Sequence, residues 1–408
     1  MKNFFYLVTL VLITAMGPTA YAAAPAPAPT WFDGVKFWGH VEAGITGNTD
    51  DPSNGLNFGH LFTDRANEPL MNQLLLTVER PIDTSSKTYD LGFRLQGMYG
   101  SDARYTHFLG ELDDVTHDRH ALDIVEANLQ LHTPWLTPGG IDFKLGQYVT
   151  LEGAEVIDAA GNFFYSHSYI FNFGIPLKHT GLMTITHLSP MFDLYLGVDS
   201  GVNTSLGGEG DNNDDAAFHG GLGINGLLDG RLNILATTHI GAENPRNATG
   251  INVHALRYLN DITAIFKVND KLTATTDLNY IKDDAFDVEA GGVAQYFTYA
   301  VNDWLSVGVR GEVYRDPSGF YVAAFPGNQD FVRFEKGRPA TVIGGGKTTY
   351  GAFTAGLNIK PPLECKFLQG VMIRPELRID GSLNDTKPFD SGKSGLQFTP
   401  AVDVIVSF

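Results

Sequence analysis

A single cysteine, Cys365, stands in 408 residues, so no disulfide can form within the chain. Charge is also sparse: Asp, Glu, Lys and Arg make up 18% of the residues, against a usual level of about 25%. Bases are the scarcer sign, 28 Lys and Arg against 46 Asp and Glu, for a formal net charge of −18. A nucleic-acid partner is therefore not expected, because a phosphate backbone needs a basic face. No segment beyond the amino terminus approaches the roughly 18 consecutive apolar residues that a spanning helix requires. The chain either stays out of a membrane or crosses it as strands.

Two features at the start of the chain concern export. Lys2 precedes an apolar run from Phe4 to about Met16, and small residues follow with an Ala20-Tyr21-Ala22 cleavage pattern. Residues 1–22 thus read as a secretory signal peptide, and loss of Lys2 with it leaves 27 bases against 46 acids, or −19. Residues 23–30, rich in alanine and proline, read as an extended linker.

The rest, 31–408, reads as one all-β domain. Val35, Phe37, Gly39, Val41, Ala43 and Ile45 fall on one face of an extended segment, with Lys36, His40, Glu42 and Thr46 on the other. The same alternation recurs in about sixteen segments, the faintest near 178–188 and 217–225, an even number of the kind a bacterial single-chain barrel uses. Glycine, 46 residues or about 11% against a usual level of about 7%, suits its turns and thin walls. Connections alternate in length: long at 47–69, 101–120, 150–177, 201–216, 242–252, 283–290, 316–347 and 382–394, short between them. A transmembrane barrel has long outer loops and short inner turns, whereas a soluble sandwich has no reason to segregate them. In the penultimate strand Val371, Ile373, Pro375, Leu377 and Ile379 share one face, and Arg374, Glu376, Arg378 and Asp380 the other. Arginine facing lipid at the midplane costs about 2–4 kcal/mol, so these four charges are expected on a wet lumen wall. In the last strand Val402, Val404, Val406 and Phe408 make a lipid stripe ending on an aromatic carboxy terminus. An edge strand of a soluble sandwich is the alternative for that segment alone.

Motifs for chemistry are weak. Gly221-Leu-Gly223-Ile-Asn-Gly226 has dinucleotide-binding spacing but no helix to follow it, and Gly344-Gly345-Gly346-Lys347-Thr348 lacks the first glycine of a phosphate loop. Asp211, Asp214 and Asp215 begin like a calcium loop, but Ala216 and Leu222 occupy the positions of its glycine and glutamate, which leaves at most weak divalent binding. His117, His120, His167 and His187 have no nucleophile pattern beside them, and adjacency in Ser166-His167-Ser168 does not make a triad. Neither an enzymatic role nor a cofactor is expected.

The segment 150–177 is long and rich in aromatics (Phe163, Phe164, Tyr165, Tyr169) for a surface loop, so it needs cover. Folding into the barrel would supply it and would set Glu152, Glu155 and Asp158 opposite bases such as Arg94, Arg374 and Arg378 across a narrowed lumen. Packing against a neighbouring subunit is the alternative. Here Gly146-Gln147, Gly153-Ala154-Glu155, Asn162 with Ser166, and Pro176 with His179-Thr180-Gly181 resemble elements of the OmpL-like putative beta-barrel porin family. The resemblance implies an outer-membrane porin, exported by the general secretory route, for passive diffusion of small hydrophilic solutes or ions. It also implies contact with outer-membrane lipids and lipopolysaccharide, and allows a homotrimer. A barrel-assembly machinery would read the ending Val404, Val406 and Phe408, as bacterial barrels share it as a class. In general porins the loop after the fifth strand constricts the pore, and 150–177 holds that place. A surface adhesin or receptor acting through 47–69, 201–216 and 316–347 is the other function consistent with such a barrel, and an outer-membrane hydrolase is a third.

Overall fold

Side chains of an extended strand point alternately to its two faces, so sixteen alternating segments can close on themselves with one apolar surface outside and one polar surface inside. A computed structural model describes residues 30–113, 119–206, 210–246, 248–362 and 370–408 of the chain. The signal peptide, most of the linker, His117, Cys365 and most of the 361–369 turn lie outside the described residues. Thr30–Gly34 contains a short 3-10 turn at Trp31–Gly34.

From Val35 onward the chain builds a closed antiparallel barrel. Its strands are β1 (Lys36–Thr46), β2 (Pro69–Arg80), β3 (Asp90–Gly100), β4 (Ala121–Thr133), β5 (Ile141–Val149), β6 (Lys178–His187), β7 (Phe192–Asp199) and β8 (Ala217–Gly226). There follow β9 (Leu232–Ala242), β10 (Leu256–Lys267), β11 (Leu272–Asp283), β12 (Val288–Asn302) and β13 (Leu305–Asp316). A two-residue pairing of β14 (Ala323–Ala324) with β15 (Ile343–Gly344) lies off the wall, which resumes with β16 (Thr348–Ile359), β17 (Val371–Ser382) and β18 (Leu396–Ser407). That makes sixteen wall strands, each paired with its chain neighbours and closed by β1 on β18. The seam runs from His40 opposite Ser407 to Thr46 opposite Ala401, and Gly39 and Phe408 exchange both backbone hydrogen bonds beyond it. Both faint segments are wall strands, β6 and β8.

The two faces separate as alternation requires. On β17, Leu377 is 54% exposed and Ile379 49%, whereas Arg374, Glu376, Arg378 and Asp380 are buried. On β18, Val402, Val404 and Phe408 are exposed, and Asp403 and Ile405 between them are buried. Exposed Phe37, Tyr89, Trp135, Phe192, Tyr299, Trp304 and Phe408 gather at the rim of the short turns, the position of an interfacial aromatic belt. One of those turns, Leu227–Gly230, holds Leu228 and Asp229 at φ of 52° and 59°, the twist that lets a two-residue connection join neighbouring strands without splaying them.

Long connections do not all project outward. Leu56, Phe58, Leu61 and Phe62 of 47–68, Tyr105 and Phe108 of 101–113, and Val322, Ala323 and Phe325 of 317–347 are buried. All but Phe108 join Phe164, Tyr169, Ile170 and Phe171 of 150–177 in two apolar clusters. The connections 47–69 and 316–347, expected as long outer loops, thus turn partly inward, because their apolar residues, 320–325 above all, find cover only where the loops meet inside the wall. Leu377→Arg is expected to lower the stability of the folded barrel in bilayer by about 2–4 kcal/mol if that position faces the midplane, measured by equilibrium denaturant unfolding. An unchanged unfolding midpoint would mean that this face is not in contact with lipid.

Candidate functional site

A loop that leaves a sheet for the middle of a barrel loses its strand partners, yet its buried N–H and C=O groups still need hydrogen bonds. In this chain charged wall residues supply them. The entry of the loop is fixed by β10 and β11: Gly153 N–H donates to Asp261 Oδ1 at 3.0 Å and Ala154 N–H to Asp277 Oδ2 at 3.0 Å. Gly153 has φ +85°, and a Cβ there would lie 2.6 Å from Ile175 of the returning limb of the loop, so only glycine fits without a shift.

The middle of the loop is held by β13 and β17. Arg374 Nη1 donates to the carbonyls of Ala159, Asn162 and Phe164 at 2.8, 2.9 and 3.2 Å. Its other nitrogens reach Asp403 at 2.6 Å and Glu42 at 2.8 Å. Glu376 accepts from the N–H groups of Tyr165 and Ser166 at 2.9 and 3.1 Å. Arg378 donates to the His167 carbonyl at 2.6 Å and pairs with Asp380, which accepts from the Tyr169 hydroxyl at 3.0 Å. Glu312 accepts from Tyr169 N–H at 2.7 Å. On the exit, Asn279 donates to the Gly174 carbonyl at 2.9 Å. With its own aromatics covered by wall guanidinium groups, Arg310 over Phe164 and Arg378 over Tyr169, the loop is seated in the lumen against strands from several sides.

The expected site residues are placed as follows. Glu155 is buried between Arg310 Nη1 at 2.8 Å, His167 Nδ1 at 3.0 Å, Ser168 N–H at 2.9 Å and the Tyr296 hydroxyl at 3.0 Å. Burial pushes its carboxyl up, but Arg310 and the His167 and Ser168 donors outweigh this and hold it at about 2, so it stays ionised. Asp158 accepts from Ala160 N–H at 3.0 Å and lies 3.5 Å from His40 Nδ1. Glu152 lies 3.2 Å from His219 Nε2. None of the three carboxylates pairs with Arg94, Arg374 or Arg378. Arg94 is engaged on the wall itself, 3.0 Å from Glu126 and 3.6 Å from Glu79. The physical reason is donor number: a guanidinium has five N–H groups, and those of Arg374 and Arg378 are divided between loop carbonyls and the wall carboxylates Glu42, Asp403 and Asp380.

Arg310 was missed although its sequence signal exists, since Arg310 and Glu312 share the inward parity of β13. The expected weak cation loop is occupied internally: Asp211 accepts from the N–H groups of Asn213 and Asp214, Asp214 pairs with Arg246 and Asp215 with His254. His167 and Ser166 serve as loop anchors, the latter accepting from Arg310 Nη2 at 3.1 Å. His187 bridges Asp142 and Asp193 near the short turns, and His120 lies near Tyr99.

A sixteen-stranded antiparallel barrel whose fifth-strand loop is seated in a charged lumen is a porin-type transmembrane barrel. The chain belongs to the putative beta-barrel porin-2, OmpL-like family, whose model matches residues 34–408. Its fold is shared by an anion-selective porin from Comamonas acidovorans, at TM-score 0.57 and 11% identity over 92% of this chain and 99% of that one. The outer membrane channel DcaP of Acinetobacter baumannii superposes at TM-score 0.52 and 14% identity, covering 92% and 97%. The trimer form of OmpT, an outer membrane protein of Vibrio cholerae, gives 0.53 and 10%, covering 92% and 99%. No relative among curated protein sequences matches the chain.

Arg374→Met strips partners from three loop carbonyls and leaves Glu42 and Asp403 facing each other in a buried site. The expected cost is about 3–5 kcal/mol, measured by denaturant unfolding of the folded barrel. A loss below 1 kcal/mol would show that the loop is seated without this clamp.

Proposed function

We propose that the protein is an outer-membrane porin for passive diffusion of small hydrophilic solutes or ions, narrowed by the 150–177 loop. The observation that carries this reading is the ionic seating of that loop inside the barrel by Arg310, Arg374 and Arg378. A loop seated there narrows the lumen, and passage of a solute needs no chemical step. Around it the wall and loop present Glu42, Glu155, Glu312, Glu376, Asp380 and Asp403 against those three arginines, six carboxylates to three bases. A surplus of fixed carboxylate in a confined space would concentrate cations, and this is the selectivity expected of the chain. The proposed constriction set keeps the loop carboxylates Glu152, Glu155 and Asp158 and adds Arg310 to Arg374 and Arg378, while Arg94 stands apart on the wall. Location in the outer membrane and assembly as a homotrimer belong to the same proposal, in keeping with the trimer form of the OmpT structure. Export by the signal peptide and recognition of Val404, Val406 and Phe408 by an assembly machinery complete it.

Planar-bilayer recording in a salt gradient tests it. The purified chain is expected to give stepwise conductance with a reversal potential of cationic sign. Replacing residues 156–171 by a short glycine-serine turn is expected to raise the step size several-fold. Silence from both proteins overturns the porin reading, and equal steps from both remove the loop from the constriction.

A further inference from the structure

Three buried histidines meet where the loop leaves the wall. His179 on β6, His219 on β8 and His239 on β9 have no solvent exposure, and their ring centroids lie 4.5 to 5.5 Å apart. Asp199 on β7 stands among them: its Oδ1 is 3.0 Å from His239 Nε2, and its Oδ2 is 3.4 Å from His179 Nδ1 and 3.8 Å from His219 Nδ1. Glu152 closes the group from the loop, with Oε1 3.2 Å from His219 Nε2.

Hydrogen bonding within the chain leaves this group unsatisfied. Glu152 Oε1 and both nitrogens of His219 are buried without a hydrogen-bond partner. His179 adds a conflict of protons. Its Nδ1 faces only acceptors, the Gly201 carbonyl at 3.3 Å and Asp199, so Nδ1 carries the hydrogen. The other nitrogen, Nε2, then offers its lone pair to Thr150 Oγ1 at 3.1 Å. Thr150 has one hydroxyl hydrogen, and Glu152 Oε2 also claims it. A cation among Nε2 of His179, Nε2 of His219 and Oε1 of Glu152 would satisfy all three at once.

We propose that Glu152, His179 and His219 bind one divalent transition-metal ion of the zinc class at the base of the inward loop. One ligand atom from each lies within 4.8 Å of the others. In a tetrahedral site with bonds of about 2.0–2.2 Å the ligand atoms are about 3.4 Å apart, and the Glu152 to His219 distance is already 3.2 Å. Imidazole with carboxylate suits zinc, cobalt and nickel, not calcium or magnesium, which take oxygen. Asp199 takes the part of the outer carboxylate that orients metal-bound imidazoles through their other nitrogen. Three protein ligands leave one position for water or a passing anion. The ion would tie the loop entry to β6 and β8, beside the contact of Thr150 with His179. The site stands whether or not the barrel conducts.

The test uses the whole folded barrel in detergent, without a polyhistidine tag and stripped with chelator. Calorimetric titration is expected to show one Zn2+ per chain, and Co2+ to give an intense tetrahedral visible spectrum. His219→Gln and His179→Gln are expected to abolish both signals, Asp199→Asn to weaken binding by about 10–100-fold, and His239→Gln to retain it. Heat-dependent gel mobility establishes that each variant is folded, and the wild-type stoichiometry needs no variant. Absence of saturable Zn2+ binding to the wild-type chain overturns the proposal. So does binding that survives His219→Gln, or that is lost with His239→Gln while His219→Gln keeps it.

Discussion

The arrangement of this lumen follows from one requirement, that backbone polar groups taken away from both water and a sheet must be bonded by something else. A closed barrel meets it for the wall, strand to strand. The loop at 150–177 cannot, and its carbonyls and N–H groups are met by side chains that would be costly to bury for any lesser purpose. Arg374 alone satisfies three carbonyls and two carboxylates. Glu376, Glu312, Asp261 and Asp277 answer the N–H groups in the same way. Charge in the interior is thus structural before it is selective, and any field felt by a permeating ion is what remains after the loop has been bonded.

This division accounts for what the sequence made readable. Alternation is a property of single strands, so Val402 to Phe408 outward and Arg374 to Asp380 inward could be assigned residue by residue. Loop-length parity likewise needs only the order of the chain. The inward course of 150–177 could be expected from uncovered aromatics such as Phe163 and Phe164. Pairings across the lumen could not, because they depend on the shear of the closed sheet and on which wall a loop turns toward. Glu155 therefore meets Arg310 and not Arg374. The histidine group was harder still: His219 lies on β8, where Gly220, Gly221 and Gly223 dilute the alternation, and its neighbour His239 is adjacent only through strand register.

The loops at 47–68 and 317–347 show the same limit from the apolar side. The first carries few hydrophobic residues, too widely spaced to declare a face, whereas 320–325 of the second is one apolar run that shows a need for cover without showing where it is found. Inside the barrel Phe58 packs near Tyr350 and Phe389, and Tyr169 stacks on Tyr350 at 5.0 Å, so residues from four distant stretches build one cluster. A surface-recognition role for those two loops loses much of its apolar material to this packing.

The seam between β1 and β18 joins residues more than 350 positions apart. Bringing such distant points together costs about 5 kcal/mol of chain entropy beyond a constant term, and little is recovered until the last strand is in register. Arg374 lies beside that seam, holding Glu42 of β1, Asp403 of β18 and the loop carbonyls together. The Arg374 clamp is therefore complete only when β1 and β18 are paired, while the anchors from β10, β11 and β13 do not depend on the seam. The first and last strands and the inward loop thus share one set of contacts, so a change at Glu42 or Asp403 is felt in the wall and in the loop together.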